Sequence, residues 1–63
     1  MRILKLKEVL NRTGLGKTSL YALIKNADFP KQIPLGSRSV GWLENEVDAW
    51  ILEKIESRSR ITS

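Results

Sequence analysis

The chain contains no cysteine and no histidine. Without cysteine there is no disulfide and no thiolate ligand for a metal. Without histidine the commonest general base and the commonest metal ligand are both missing. No apolar run approaches the ~20 residues of a membrane span. The apolar residues of the first ten positions, MRILKLKEVL, alternate with charges and lead to no small-residue cleavage site, so they do not read as a secretory leader. Catalytic constellations are lacking too. Glu44, Glu46, Asp48, Glu53 and Glu56 read as a solvated helix surface rather than a convergent pair. Ser37 and Ser39 have no base beside them. The expectation is a cytoplasmic protein that is not an enzyme and carries no cofactor and no metal.

What is present is positive charge. Lysine and arginine number 11 against 7 aspartates and glutamates, giving a formal net charge of +4. The isoelectric point is about 9.9, in the basic range of nucleic-acid-binding domains. The length, 63 residues, allows one domain, and a chain of this size buries only about 60% of the surface its unfolded form exposes.

The organising stretch is Thr13 to Ala27, TGLGKTSLYALIKNA. Before it, Arg2 to Lys5 reads as a brief extended segment. Leu6, Val9 and Leu10 recur at helical spacing and predict a first helix from Leu6 to Arg12, with Glu8 favourably placed in its first turn. Gly14 follows where a helix end needs a residue tolerant of positive φ. Leu15, apolar within a polar turn, points inward. Gly16 takes the N-cap position of a second helix over 17–27, whose Leu20, Leu23, Ile24 and Ala27 form one apolar face. The opposite face carries Thr18, Tyr21, Ala22 and Lys25. Two helices joined by a tight glycine turn, the second with a polar outer face of small residues, follow the plan of a helix-turn-helix.

The rest of the chain completes a winged version of that plan. Phe29 before Pro30 is pushed out of the helical region and reads as a core plug. Residues 32–43 read as a β-hairpin, with Ile33 and Leu35 on one face, Val40 and Trp42 on another, and Gly36-Ser37-Arg38-Ser39 as the loop. Pro34 cannot donate to a ladder, so either its strand lies at an edge or Pro34 faces away from the pairing. A hairpin in this position is a wing. Leu43 to Ile55 reads as a third helix with Leu43, Val47, Trp50, Ile51 and Lys54 on one face, Lys54 laying its stem along it. Leu52 falls on the opposite face, where it is a candidate contact for a second copy. The predicted core comprises Leu6, Val9, Leu10, Leu15, Leu20, Leu23, Ile24, Phe29, Val47 and Trp50, with Trp42 also spaced as a core residue. The fold class is therefore mainly α with a small β-hairpin, a winged helix-turn-helix domain over residues 1–56. Residues 57–63, SRSRITS, lack periodicity and read as a mobile basic tail.

One motif points elsewhere. Gly16-Lys17-Thr18 spells the end of a phosphate-binding loop. That loop needs another glycine five residues earlier and a preceding buried strand. Asn11 stands at that position, and an amphipathic helix precedes it, so the motif is rejected.

LKEVLNRTGLGKTSLYALIK, followed by FPKQIPLGSRSVGWLENEVDAWI, resembles the AlpA-like prophage regulatory proteins. These are small winged helix-turn-helix proteins related to MerR-like and excisionase DNA-binding domains. The similarity covers about Arg2 to Ile55, and its most specific parts are TGL with SLY, FP, LG-x-R-x-VGW and EV-x-x-W. It implies a DNA-binding transcriptional regulator of a prophage or other mobile element. Some relatives act directly as architectural excision factors in recombination, which is the alternative. Two positions depart from the family. Gly16 stands where serine is usual, a difference of only a few tenths of a kcal/mol in capping. Pro34 stands where a basic residue is common, which removes one wing phosphate contact. Arg38 matches the family's wing arginine.

The expected partner is double-stranded DNA, bound by a homodimer or a cooperative homo-oligomer, because one recognition helix reads few base pairs. The predicted contact residues are Lys17, Thr18, Ser19, Tyr21, Ala22 and Lys25 from helix 17–27 in the major groove, and Arg38 from the wing on adjacent backbone or minor groove. Thr18 can bond a base edge and Ala22 can touch a thymine methyl. Lys17 and Lys25 suit phosphates. Tyr21 has two readings, a DNA contact or partial packing beside Leu20 and Ile24. Arg12 and Lys31 read as solvated surface charges.

Overall fold

The computed structural model describes residues 2–61, with side chains to residue 58. In chain order the elements are β1 (Ile3–Leu4), α1 (Leu6–Thr13), α2 (Lys17–Lys25), β2 (Ile33–Pro34), β3 (Val40–Leu43) and α3 (Glu44–Ile61). Three helices thus surround a small three-stranded antiparallel sheet of order β1-β3-β2. No helix among the described residues is long and apolar enough to cross a membrane.

Each element begins and ends for a local reason. At the start of α1, the Glu8 carboxylate accepts the backbone N–H of Lys5 at 3.0 Å. This satisfies a donor near the helix start and sets a negative charge on the positive end of the dipole. At its end Gly14 turns left-handed, φ 74°, and donates its N–H to the carbonyl of Leu10 at 2.9 Å. The Thr13 hydroxyl donates back to the Val9 carbonyl and accepts the N–H of Leu15. The chain then enters α2 through Gly16, extended and with no side chain to cap the helix.

Helix α2 stops at Lys25, two residues short of the expected Ala27. Ala27 is itself the cause, because it adopts a left-handed conformation with φ 61°. Its N–H bonds the Ile24 carbonyl at 3.0 Å, and the N–H of Asp28 bonds that of Leu23 at 2.8 Å. This pair of bonds is the Schellman arrangement, which usually has glycine at the left-handed position. Alanine's high helix propensity hid the stop from a reading of the sequence.

The sheet corrects a second boundary. Leu43 lies in β3 rather than at the head of α3, paired with Ile3, while Trp42 pairs with Leu4. The N–H of Glu44 continues this ladder to the carbonyl of Arg2 at 2.8 Å. On the other side, Ile33 pairs with Gly41 and Pro34 with Val40, so Pro34 does occupy an edge strand. Leu35 closes the hairpin loop by donating its N–H to Ser39 at 2.8 Å. Gly41 sits on the outer face of the central strand. A Cβ there would strike Ile3 Cγ2 and come within 2.9 Å of Leu35 Cδ1 and 3.1 Å of the Leu4 carbonyl oxygen.

The inner face of the sheet carries the core. Leu4, Val9, Leu20, Phe29, Trp42 and Val47 are buried, and Leu6, Leu10, Leu15, Leu23, Ile24, Val40, Trp50 and Ile51 pack against them in part. Leu4 is fully buried, which the two-residue apolar pair Ile3-Leu4 did not signal. Both tryptophans grip the connection between α2 and the hairpin. The indole N–H of Trp42 donates to the Pro30 carbonyl at 3.0 Å, and that of Trp50 to the Asp28 carbonyl at 2.6 Å. Phe29, between those carbonyls, meets Trp50 edge to face with centroids 4.9 Å apart. The connection has no regular structure, and these contacts set how α2 stands relative to the hairpin.

The third helix runs to Ile61, beyond the Ile55 expected from its apolar spacing. Residues 57–61, read as part of a tail, continue the helix. No glycine or proline follows Gly41 to stop it, and Arg58 and Arg60 suit the negative end of the dipole. The remainder of that segment, residues 62–63, lies outside the described residues.

Candidate nucleic-acid interface

The buried and exposed residues of α2 divide as the helical period requires. Leu20 is fully buried, and Leu23 and Ile24 pack beside it. Lys17, Thr18, Ser19, Ala22 and Lys25 are exposed, and Tyr21 is half-buried at the border. Tyr21 therefore packs in part, leaving some of its surface to solvent. Arg38 is exposed on a separate element, the loop between β2 and β3. Six of the seven predicted contact residues thus share one helix of nine residues.

The turn between α1 and α2 presents this helix by its N-terminus. Its first backbone N–H groups have no side-chain cap at Gly16, and α2 has no acidic residue in its first turn. Free N–H groups at a helix start, with Lys17 beside them, favour an anion such as a phosphate oxygen. Thr18, at the second helical position, follows directly.

Two sets of cations differ in their partners. Arg12 forms a fork, with Nη1 on Asp48 Oδ1 and Nη2 on Glu44 Oε2, both at 2.7 Å. Hydrogen bonds to Asp48 and then to Glu44 hold the Arg12 guanidinium above its ordinary pKa, against a smaller opposing effect of burial. Arg2 bonds Glu8 at 2.9 Å and approaches Glu44 at 3.6 Å. Arg12 lies exposed at the surface, as its sequence context suggested, but it is paired rather than lone. It ties the end of α1 to the start of α3, a pairing between residues 12 and 44–48 that local sequence does not reveal. The second set, Lys17, Lys25 and Arg38, enters no ion pair among the described residues. Glu44 and Asp48 at the α3 start are thus matched by Arg2 and Arg12, while the cations of α2 and the hairpin loop, like Lys5, Lys7 and Lys31, enter no ion pair among the described residues.

Comparison with known proteins identifies the family. The family model described as Prophage CP4-57 regulatory protein (AlpA) matches residues 2–55. An uncharacterized protein, ORF88, of Enterobacteria phage P4 is 41% identical over 59 residues, covering 94% of this chain and 67% of its own length. The DNA-binding transcriptional activator AlpA of Escherichia coli K12 is 37% identical over 60 residues, covering 86% of each chain. The match spans β1, both helices of the turn, the hairpin and most of α3, so this chain belongs to the AlpA family of prophage regulatory proteins.

Proposed function

We propose that the chain is a DNA-binding transcriptional regulator of a prophage or related mobile element, built as a winged helix-turn-helix. The family consists of regulators and the chain is not an enzyme. The observation that carries the proposal is the outer face of α2. It is exposed, its cations enter no ion pair among the described residues, and its inner face is buried to Leu20. A helix held in this way is rigid enough to enter a major groove, about 12 Å wide.

In this reading α2 lies in the groove with its N-terminus toward the bases. Thr18 and Ser19 offer hydroxyls to base edges, and Ala22 offers a methyl to thymine. Lys17 and Lys25 hold phosphates at the two ends of the helix, and the exposed part of Tyr21 rests against the backbone. Arg38, from the hairpin loop acting as the wing, reaches the adjacent backbone or a narrow minor groove.

The experiment is selection of bound duplexes from a random library by the purified chain, followed by footprinting on the enriched sequence. Enrichment of one defined site, with protection of a major groove and the minor groove beside it, supports the proposal. Recovery of unenriched sequence, or no retention of DNA at low salt, refutes it.

A further inference from the structure

The last turn of α2 is fastened to α3 through a single residue. The N–H of Asp28 donates to the Leu23 carbonyl of that turn at 2.8 Å. The carbonyl of the same residue accepts the indole N–H of Trp50 at 2.6 Å. The indole is itself held. Phe29 meets it edge to face, Lys54 Nζ lies 5.3 Å from its ring centroid, and Val47, about one turn earlier on α3, is buried.

The energetics of the Trp50 bond favour a role in orientation over one in stability. Trp50 is half-buried and its bond lies within reach of water, so water replaces the donor when the indole is lost and the net stabilisation is small. What the bond fixes is an angle. Helix α2 has nine residues, about 13 Å at 1.5 Å per residue. Its middle is held by fully buried Leu20, while Leu23 and Ile24 near its end are covered only in part. A swing of about 10° about the N-terminal end carries the C-terminal end through about 2 Å. That exceeds the range of distances over which a hydrogen bond holds. Pro30, two residues beyond Asp28, is bonded to Trp42 of the hairpin. The Trp50 bond therefore supplies the remaining constraint between α2 and the hairpin whose loop carries Arg38.

We propose that Trp50 is a positioning residue for DNA recognition. Acting through Asp28, it holds the C-terminal end of α2 at the angle at which α2 and Arg38 engage one site together. The inference rests on the reading of α2 and Arg38 as the parts that contact DNA, and deepens it with a residue of α3. A helix already at that angle gives up no further freedom on a site that demands both contacts. A scrambled duplex, held by charge alone, demands no such register.

Two variants remove the donor. Trp50→Phe keeps the packing on Phe29, and a synthetic chain with benzothiophene in place of the Trp50 indole keeps the whole ring and loses only the N–H. Binding is measured on the duplex selected by the parent and on a scrambled one. Both variants should weaken the selected duplex at least fivefold, leave the scrambled duplex within twofold, and leave the log–log salt slope unchanged, since no cation is lost. Arg38→Ala should cost less in the Trp50→Phe background than in the parent. Trp50 and Arg38 share no partner among the described residues, and such distant sites otherwise act independently. Amide hydrogen exchange without DNA supplies the second arm. The Ala27 and Asp28 amides, bonded to Ile24 and Leu23, should exchange at least tenfold faster in the variants, while Val9 and Leu20 change by a common, smaller factor. Equal weakening of both duplexes, independent effects of Trp50→Phe and Arg38→Ala, or uniform acceleration of all four amides each overturn the proposal. A parent that selects no site defeats the DNA reading itself, and the exchange arm still decides whether Trp50 anchors the end of α2.

Discussion

The two tryptophans differ in burial although both bond the same connection, and that difference gives a quantitative prediction. Trp42 is fully buried and donates to Pro30, whereas Trp50 is half-buried and donates to Asp28. Trp42→Phe removes a hydrogen bond worth about 1 kcal/mol net. It also leaves a void where the second ring was, adding roughly 1–2 kcal/mol in a core this tight. The sum, about 2–3 kcal/mol, is large beside the roughly 3–9 kcal/mol total expected for 63 residues. At about 4–8 °C per kcal/mol for a small domain, the melting temperature falls by roughly 10–20 °C. Trp50→Phe loses a hydrogen bond at the surface, where water replaces the donor, and phenylalanine retains most of the packing on Phe29. Its cost is about 1 kcal/mol or less. Thermal unfolding followed by far-ultraviolet circular dichroism separates the two. If Trp50→Phe proves as damaging as Trp42→Phe, the side chain at the centre of the core has been wrongly identified.

Other consequences follow from single backbone positions and from the hairpin. Ala27→Gly should raise stability by about 0.5–1 kcal/mol, because glycine meets the left-handed φ of 61° without the steric cost of a Cβ; an unchanged or lower denaturation midpoint contradicts the Schellman ending of α2. Gly41→Ala should cost about 1–2 kcal/mol, since the added methyl must displace Ile3 and Leu35, which are only partly covered and can yield; urea unfolding with a midpoint equal to the parent's rules out that close approach. Arg38→Ala should leave stability within about 0.5 kcal/mol of the parent, as expected for an exposed side chain with no ion pair among the described residues, while weakening DNA binding; a large stability loss assigns Arg38 to the fold rather than to the wing's contact.

The sequence revealed the fold best where a period was local. Helices α1 and α2, the intervening glycine turn and the α2 surface all lie within one or two turns of the residues that specify them, and their apolar faces were legible. Pairings between distant segments were not. Strand β1 has two residues, and its partners Trp42 and Leu43 lie some forty positions away, so Arg2 to Lys5 showed only an extended segment. The same pairing claims Leu43 for the sheet, although its spacing from Val47 suits a helix equally well. Arg12 looked like an ordinary surface charge because its carboxylate partners belong to α3. At the site itself, the α2 face could be read from the helical period, and Tyr21 was ambiguous because it falls on the border between buried and exposed. How α2 stands relative to Arg38 depends on the Trp42 and Trp50 bonds to the connection, which no local pattern encodes.

The most direct test of the central claim is a salt series of binding isotherms on the selected duplex and a scrambled one, with the parent, Thr18→Ala and Lys25→Ala. Lys25→Ala should weaken both duplexes alike and reduce the log–log salt slope by about one per monomer, as loss of a phosphate contact requires. Thr18→Ala should leave that slope nearly unchanged and lower the ratio of selected to scrambled binding by about 1–3 kcal/mol, as loss of a base contact requires. If both variants bind both duplexes as the parent does at every salt concentration, the outer face of α2 does not read DNA.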